Sequence, residues 1–307
     1  TGMASIDAIV KLLKPGDEVV STNDLYGGTY RLFTKIFEGF GVKFHFVDMG
    51  DLKNVEAALT PNTRLIWAET PTNPLLRIID IAGLSAIAKK QGCLLGVDNT
   101  FASPYLQNPI DLGADIVMHS VTKYLGGHSD VVMGALVVKD DALAERLAFI
   151  QNSSGATPGP MDCFLVLRGL KTLHLRMQRH CENGKAVAEW LVKHPKVDKV
   201  YWPGFATHAN HAVAAKQMRG FGGMISFTLK GDNMADATRV LSSTKLFSLA
   251  ESLGGVESLL GHPASMTHAS IPREERLRNG LADTLIRLSV GLEDADDLIA
   301  DLEKALA

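Results

Sequence analysis

Short apolar runs alternating with amphipathic stretches constrain this chain most. In the first half, runs at 18–22, 43–47, 64–69, 93–97, 116–118 and 134–139 are separated by longer segments with helical spacing at 51–59, 80–91 and 140–150. Apolar runs this short, bounded by polar or turn residues, read as buried strands. A further helix is expected over 4–13, where Ile6, Ile9, Val10 and Leu13 share a face. Thr1 can cap it, and Pro15-Gly16 stops it. Strands alternating with helices predict an α/β fold whose sheet is mostly parallel. A Ser/Gly/Pro-rich break at 151–160 follows, then one long or kinked helical stretch from Met161 to Trp190. Later strands are expected at 197–201, 224–229, 246–250 and 285–290, and an acidic helix at 295–306. The chain of 307 residues thus divides into a large domain, 1–170, and a linking helix with a smaller α/β domain, 171–307.

In an open parallel sheet, ligands sit at the carboxyl ends of the strands. The run at 116–118 leads into Ser120, Thr122 and Lys123, then Gly126-Gly127. A lysine at a buried strand's end either reaches solvent or serves covalent chemistry as an amine of lowered pKa. Ser120 and Thr122 occupy alternate positions, so their hydroxyls can face one side. Asp98 ends the run at 93–97, where an unpaired buried carboxylate would be costly. Asn73 lies between Pro71 and Pro74 in a stiff loop after the run at 64–69. Tyr26, beside Gly27-Gly28, can form a flat platform, and the helix start at Gly2 is a ready anion site. Each feature also has a plain reading: a solvated lysine, a half-buried tyrosine, an ordinary capped helix. Their convergence on one sheet edge argues for a site.

Several classes drop out. Net charge is −3 with no basic block, so no nucleic-acid partner is expected. No apolar run reaches the roughly 18 residues of a membrane span, and no signal peptide is visible. Three cysteines without a Cys-x-x-Cys pair suit a reducing, cytoplasmic setting. Gly220-Phe221-Gly222-Gly223 lacks the spacing of a dinucleotide fingerprint, and no P-loop or Gly-x-Ser-x-Gly elbow occurs. His208 and His211 lack a third ligand, so no metal is expected.

Three segments carry a resemblance: Asp98-Asn99-Thr100-Phe101, the stretch from Ser120 to Asp130, and Glu251-Ser252-Leu253-Gly254-Gly255-Val256-Glu257-Ser258. Together, with Asp98 and Lys123 standing 25 residues apart, they resemble the Cys/Met-metabolism family of pyridoxal-phosphate enzymes over the whole chain. That family includes cystathionine γ-synthase, γ-lyase and β-lyase, methionine γ-lyase and the homoserine-ester sulfhydrylases. The resemblance implies the aspartate-aminotransferase type I fold and a homo-oligomer, a dimer of dimers, with sites at a dimer interface. It implies that Lys123 forms the Schiff base and shuttles protons. Asp98 would pair with the pyridine nitrogen, and Tyr26 would stack on the ring and assist the leaving group. Gly2 and Met3 would offer backbone N–H groups to the phosphate, with hydroxyls from Ser120 and Thr122. Asn73 would sit near the ring's phenolic oxygen. Arg287 would clamp the substrate α-carboxylate beside Ser252, a bidentate task suited to guanidinium. The family's N-terminal segment, which gives a Tyr and an Arg to the neighbouring subunit's phosphate, has no counterpart here, and the sequence is read as a fragment. The expected reaction is γ-elimination or γ-replacement on cystathionine or homoserine esters, synthase against lyase left open. Glu251 suits the distal ammonium of cystathionine, and a Cys is absent from the Tyr26-Gly27-Gly28 loop; both argue against methionine γ-lyase. That enzyme and O-acetylhomoserine sulfhydrylase remain the alternatives. A non-catalytic cofactor-binding relative would be expected to have lost Lys123, Asp98 or Arg287, and all three are present.

Overall fold

The computed structural model describes residues 1–231, 233–266 and 273–307, with the side chain of residue 275 left out. The first half builds a six-stranded sheet from β1 (Glu18–Thr22), β2 (Lys43–Val47), β3 (Thr63–Glu69), β4 (Leu94–Asp98), β5 (Ile116–Ser120) and β6 (Gly134–Val138). Their order is β2-β1-β3-β4-β5-β6. All neighbours are parallel except β6, which runs antiparallel to β5. The helices of this half are α1 (Gly2–Val10), α2 (Gly27–Lys35), α3 (Leu52–Ala58), α4 (Ile81–Gln91), α5 (Ser103–Leu106) and α6 (Asp141–Ser154).

The apolar runs are continuous because both sheet faces are covered. Along β3, Leu65 and Trp67 pack with Ile6, Ile9 and Phe33 of α1 and α2. Ile66 and Ala68 pack on the other face with Ile81, Leu84 and Ile87 of α4. Acid and hydroxyl caps start the helices: Thr1 accepts from the Ala4 N–H at 3.0 Å, Asp80 from Gly83 at 3.0 Å and Asp140 from Leu143 at 2.7 Å.

The second half opens with α7 (Pro160–Leu170) and α8 (Leu173–Leu191), where the sequence suggests one long or kinked stretch. The break has a local and a long-range cause. Lys171 and Thr172 turn the chain with short-range bonds to the carbonyls of Arg168 and Gly169. Gly169 sits where a Cβ would collide with the Gly126 carbonyl. After them come β7 (Val197–Tyr201), α9 (His211–Gln217), β8 (Met224–Leu229), α10 (Met234–Ser243), β9 (Ser248–Leu249), β10 (Leu259–Gly261), α11 (Arg273–Arg278), β11 (Leu285–Ser289) and α12 (Ala295–Leu306). The sheet order is β7-β8-β11-β10-β9, antiparallel except for the β10/β9 pair.

The strand expected over 246–250 shrinks to the two residues of β9, and β10 is unannounced by the sequence. The Asp301 carboxylate explains the first point. It takes the N–H groups of Lys245 (2.8 Å), Leu246 (2.8 Å) and Phe247 (3.2 Å), so those amides serve a side chain and not a ladder. Ile225, Phe227, Ile286 and Leu288 pack on α8, α10 and α12. With a side-chain period of two, Ser226 and Arg287 must face the opposite way, toward the first half. Ser226 Oγ indeed donates to the Pro74 carbonyl at 2.7 Å.

Candidate active site

The N-terminus of α1, the ends of β3, β4 and β5, and the inner face of β11 surround a cleft. Of the residues singled out in the sequence, Gly2, Met3, Tyr26, Asn73, Asp98, Ser120, Thr122, Lys123, Glu251 and Arg287 line it. Ser252 joins them through a hydrogen bond, accepting from Lys123 Nζ at 3.2 Å.

Lys123 follows β5 and points into this cleft. Burial, aided by the Arg287 charge, pulls its ammonium down to about 8, so the free amine is accessible near neutrality. Arg287 is 3% exposed. It donates to Asn73 Oδ1 at 2.9 Å and to the carbonyls of Glu251 and Ser252 at 3.3 and 3.2 Å. Those acceptors are neutral, and burial lowers the guanidinium to about 10. A buried cation held only by neutral acceptors favours an incoming carboxylate.

Asp98 closes β4. Its Oδ1 accepts the Thr100 N–H at 3.0 Å, and burial pushes its carboxyl up to about 6. Tyr26 precedes α2, and Gly28 has no room for a Cβ beneath the Tyr26 ring and the Met3 sulfur. The ring is therefore laid over the first turn of α2, against the start of α1. Gly2 plays a matching part: a Cβ there would stand 3.0 Å from the Ser120 Cβ and 3.1 Å from its Oγ. The bare residue lets the α1 N-terminus, with its unpaired N–H groups and positive dipole end, close on the Ser120 hydroxyl. Thr122 lines the cleft, but its hydroxyl donates to the Met133 carbonyl at 3.2 Å and accepts the Met133 N–H at 3.1 Å. Glu251 stands exposed at the rim.

Two polar residues of the cleft, Thr100 and Glu69, were given no role in the sequence. Thr100 ties two strand ends together, accepting the Ser120 N–H at 2.9 Å on its hydroxyl while its own N–H serves Asp98. Glu69 ends β3 beside Asp98 and is 4% exposed. Its Oε2 accepts the Tyr26 N–H at 2.9 Å. A glutamate before Thr-Pro carries no local signal of such a neighbour.

An amine that deprotonates near neutrality, a buried carboxylate and a helix N-terminus cradled by glycine form a donor set suited to one kind of group. It is an aldehyde with a basic ring nitrogen and a phosphate tail. The model of the "Cys/Met metabolism PLP-dependent enzyme" family matches residues 1–307. The chain belongs to that family. It is 55% identical over 306 residues to cystathionine gamma-lyase of Dictyostelium discoideum, covering 100% of this chain and 79% of the relative. It is 54% identical over 307 residues to cystathionine gamma-synthase of Mycobacterium bovis, covering 100% and 78%. The crystal structure of cystathionine gamma-lyase from Lactobacillus plantarum complexed with L-serine superposes with a TM-score of 0.96 at 49% identity, covering 99% of this chain and 80% of that one. The family resemblance drawn from the three motifs is therefore correct. As a member, the chain is a pyridoxal-phosphate-dependent enzyme of transsulfuration, with mixed α/β architecture. Among the described residues, no helix is long and apolar enough to cross a membrane.

Proposed function

We propose that the enzyme carries out γ-elimination or γ-replacement on cystathionine or a homoserine ester, in the fold of the aspartate-aminotransferase type. The single observation that carries this reading is the shared cleft of Lys123, Arg287 and Glu251. They are an amine, a cation and a carboxylate for the three parts of one substrate. When bound, pyridoxal phosphate supplies an aldehyde that takes up an amine and a ring that withdraws electrons from the amino acid's Cα.

The chain's own residues do the rest. Arg287 holds the α-carboxylate and fixes which Cα bond lies ready to break. Lys123 would hold the cofactor before substrate arrives, then remove the Cα proton and assist removal of a Cβ proton. Its lowered pKa suits a base working near neutral pH. Tyr26 lies over the cleft to assist the leaving γ-substituent. Asp98 would hold the ring nitrogen, Asn73 would lie at the ring oxygen, and Gly2, Met3, Ser120 and Thr122 would hold the phosphate. A thiol such as cysteine then adds, which makes a synthase, or water completes release of a 2-oxo acid and ammonia, which makes a lyase. Glu251 at the rim reads the distal ammonium of cystathionine. A carboxylate there disfavours the apolar tail of methionine.

The domain division at 170/171, a homo-oligomer built as a dimer of dimers and a cytoplasmic location belong to the same proposal. The last is supported by three cysteines that are all free.

The test is product analysis with the full-length protein. Release of 2-oxobutanoate from cystathionine identifies a γ-lyase. Cystathionine formed from O-succinylhomoserine and cysteine identifies a γ-synthase. A protein with no visible absorbance after addition of pyridoxal phosphate removes Lys123 from its role. Glu251→Val should raise KM for cystathionine about tenfold, the worth of one charge-assisted contact; unchanged kinetics would remove Glu251 from recognition.

A further inference from the structure

β3 and β4 pair in parallel with Glu69 opposite Asp98. Register partners on parallel strands point to the same face from backbones about 4.8 Å apart. Both carboxyls therefore enter the cleft side by side, and both are buried. Two adjacent carboxyls shut away from water do not both ionise. What each one faces decides which one does. Asp98 receives the Thr100 N–H at 3.0 Å and, in the reading above, faces the ring nitrogen, whose charge favours an anion. Glu69 receives the Tyr26 N–H at 2.9 Å, which the carbonyl oxygen of a neutral acid accepts equally well.

We propose that Glu69 is a positioning residue of the cofactor site that works in its neutral form: it pins Tyr26 by the Tyr26 amide and leaves Asp98 as the one anion facing the ring nitrogen. This rests on the reading of the site given above. The balance of groups acting on Glu69 agrees. Burial is the largest, then the Asp98 charge; the Tyr26 N–H and Arg287 oppose them, Asp24 adds to them, and the net effect raises Glu69 well above the ordinary carboxyl range. Asp98 reaches only about 6. Asp24, itself buried, accepts the Thr72 hydroxyl from the loop after β3, so the Tyr26 segment is fastened at two points along that loop.

The experiment compares the parent enzyme, Glu69→Gln and Glu69→Ala. Each is stripped of cofactor and titrated with pyridoxal phosphate for its Kd. The visible band is followed against pH, and the stripped proteins are melted as a control on folding. Glutamine has the shape and neutrality of a protonated glutamate and keeps the acceptor for Tyr26. It should leave Kd within about threefold of the parent, with the same band and the same pH dependence. Alanine leaves the partly buried Tyr26 N–H without its acceptor and frees the Tyr26 segment, and should weaken Kd at least about tenfold. If Gln is as damaged as Ala, or fails to fold, Glu69 acts as an anion and the proposal is overturned. If Ala binds like the parent, Glu69 positions nothing and the proposal is overturned too. A parent that takes up no pyridoxal phosphate instead overturns the proposed function itself, an outcome distinct from either pattern among the variants.

Discussion

Lys123 is the residue on which pH acts most directly. Its folded pKa, about 8, lies below that of an exposed lysine because burial and then Arg287 penalise the charge. The free amine that reacts with an aldehyde is therefore present from about pH 8 upward. Covalent uptake of pyridoxal phosphate by the stripped enzyme should accelerate with pH through a midpoint near 8, measured by stopped-flow absorbance. Arg287→Gln removes the second cause and should move that midpoint upward. Linkage has the same sign. Between the folded value and the ordinary lysine value of 10.5, the unfolded chain holds a proton that the folded chain has lost, so stability rises with pH across that window. At this scale the sequence is eloquent where chemistry and chain position coincide, as for Lys123, Asp98 and Arg287. It is silent on Glu69, whose meaning comes from the register of β3 against β4. No local pattern encodes which residue of one strand faces which residue of another. Thr100 is hidden for the same reason: its hydroxyl matters only because β5 ends beside it.

Arg176 shows how elements interlock around the site. It rises from α8 and is 3% exposed. It donates to the carbonyls of Tyr124 (2.6 Å), Gly169 (2.9 Å) and Leu125 (3.4 Å) and to the Thr172 hydroxyl (3.1 Å). One guanidinium thus joins the end of α7, the start of α8 and the segment just after Lys123. Gly127, at a φ of +73°, leaves the space the guanidinium fills. Arg176→Met strands several buried carbonyls and should lower unfolding free energy by about 3 kcal/mol in a denaturant titration. Arg176→Lys, which lacks the planar fork, should recover less than half of that loss. The strands of the first sheet were legible because burial on both faces demands uninterrupted apolar runs. The break between α7 and α8 was not, since it depends on Gly169 meeting Gly126 and on Arg176 reaching across. The three residues of β10 are too few to carry a periodic signal, and they become a strand only because β11 lies alongside.

At the scale of the whole molecule, α7 and its neighbours expose several large apolar side chains. Met161, Phe164 and Leu167 on α7 are 66%, 60% and 64% exposed, and Phe149 on α6 and Leu175 on α8 are also exposed. Monomeric proteins rarely leave such a patch uncovered. A second copy of the chain is the occupant that the proposed homo-oligomer requires. Light scattering of the parent should give a multiple of the 33.1 kDa chain mass. Phe164→Glu with Leu167→Glu should shift it toward the single chain. A parent that stays monomeric at every concentration would remove the oligomer from the proposal.

The cleft draws its floor from one sheet and Arg287 from the other, and this has a consequence for any attempt to re-engineer the enzyme. In the proposed reading the two anchors, Lys123 and Arg287, address groups that every amino acid possesses. They behave like the jaws of a gauge set to the head of the substrate and indifferent to its tail. In the same reading, preference among tails is left to the rim, where Glu251 stands free of both ladders. A designer seeking a new substrate could vary that rim and leave the two sheets, and the reactivity they hold in place, as they are.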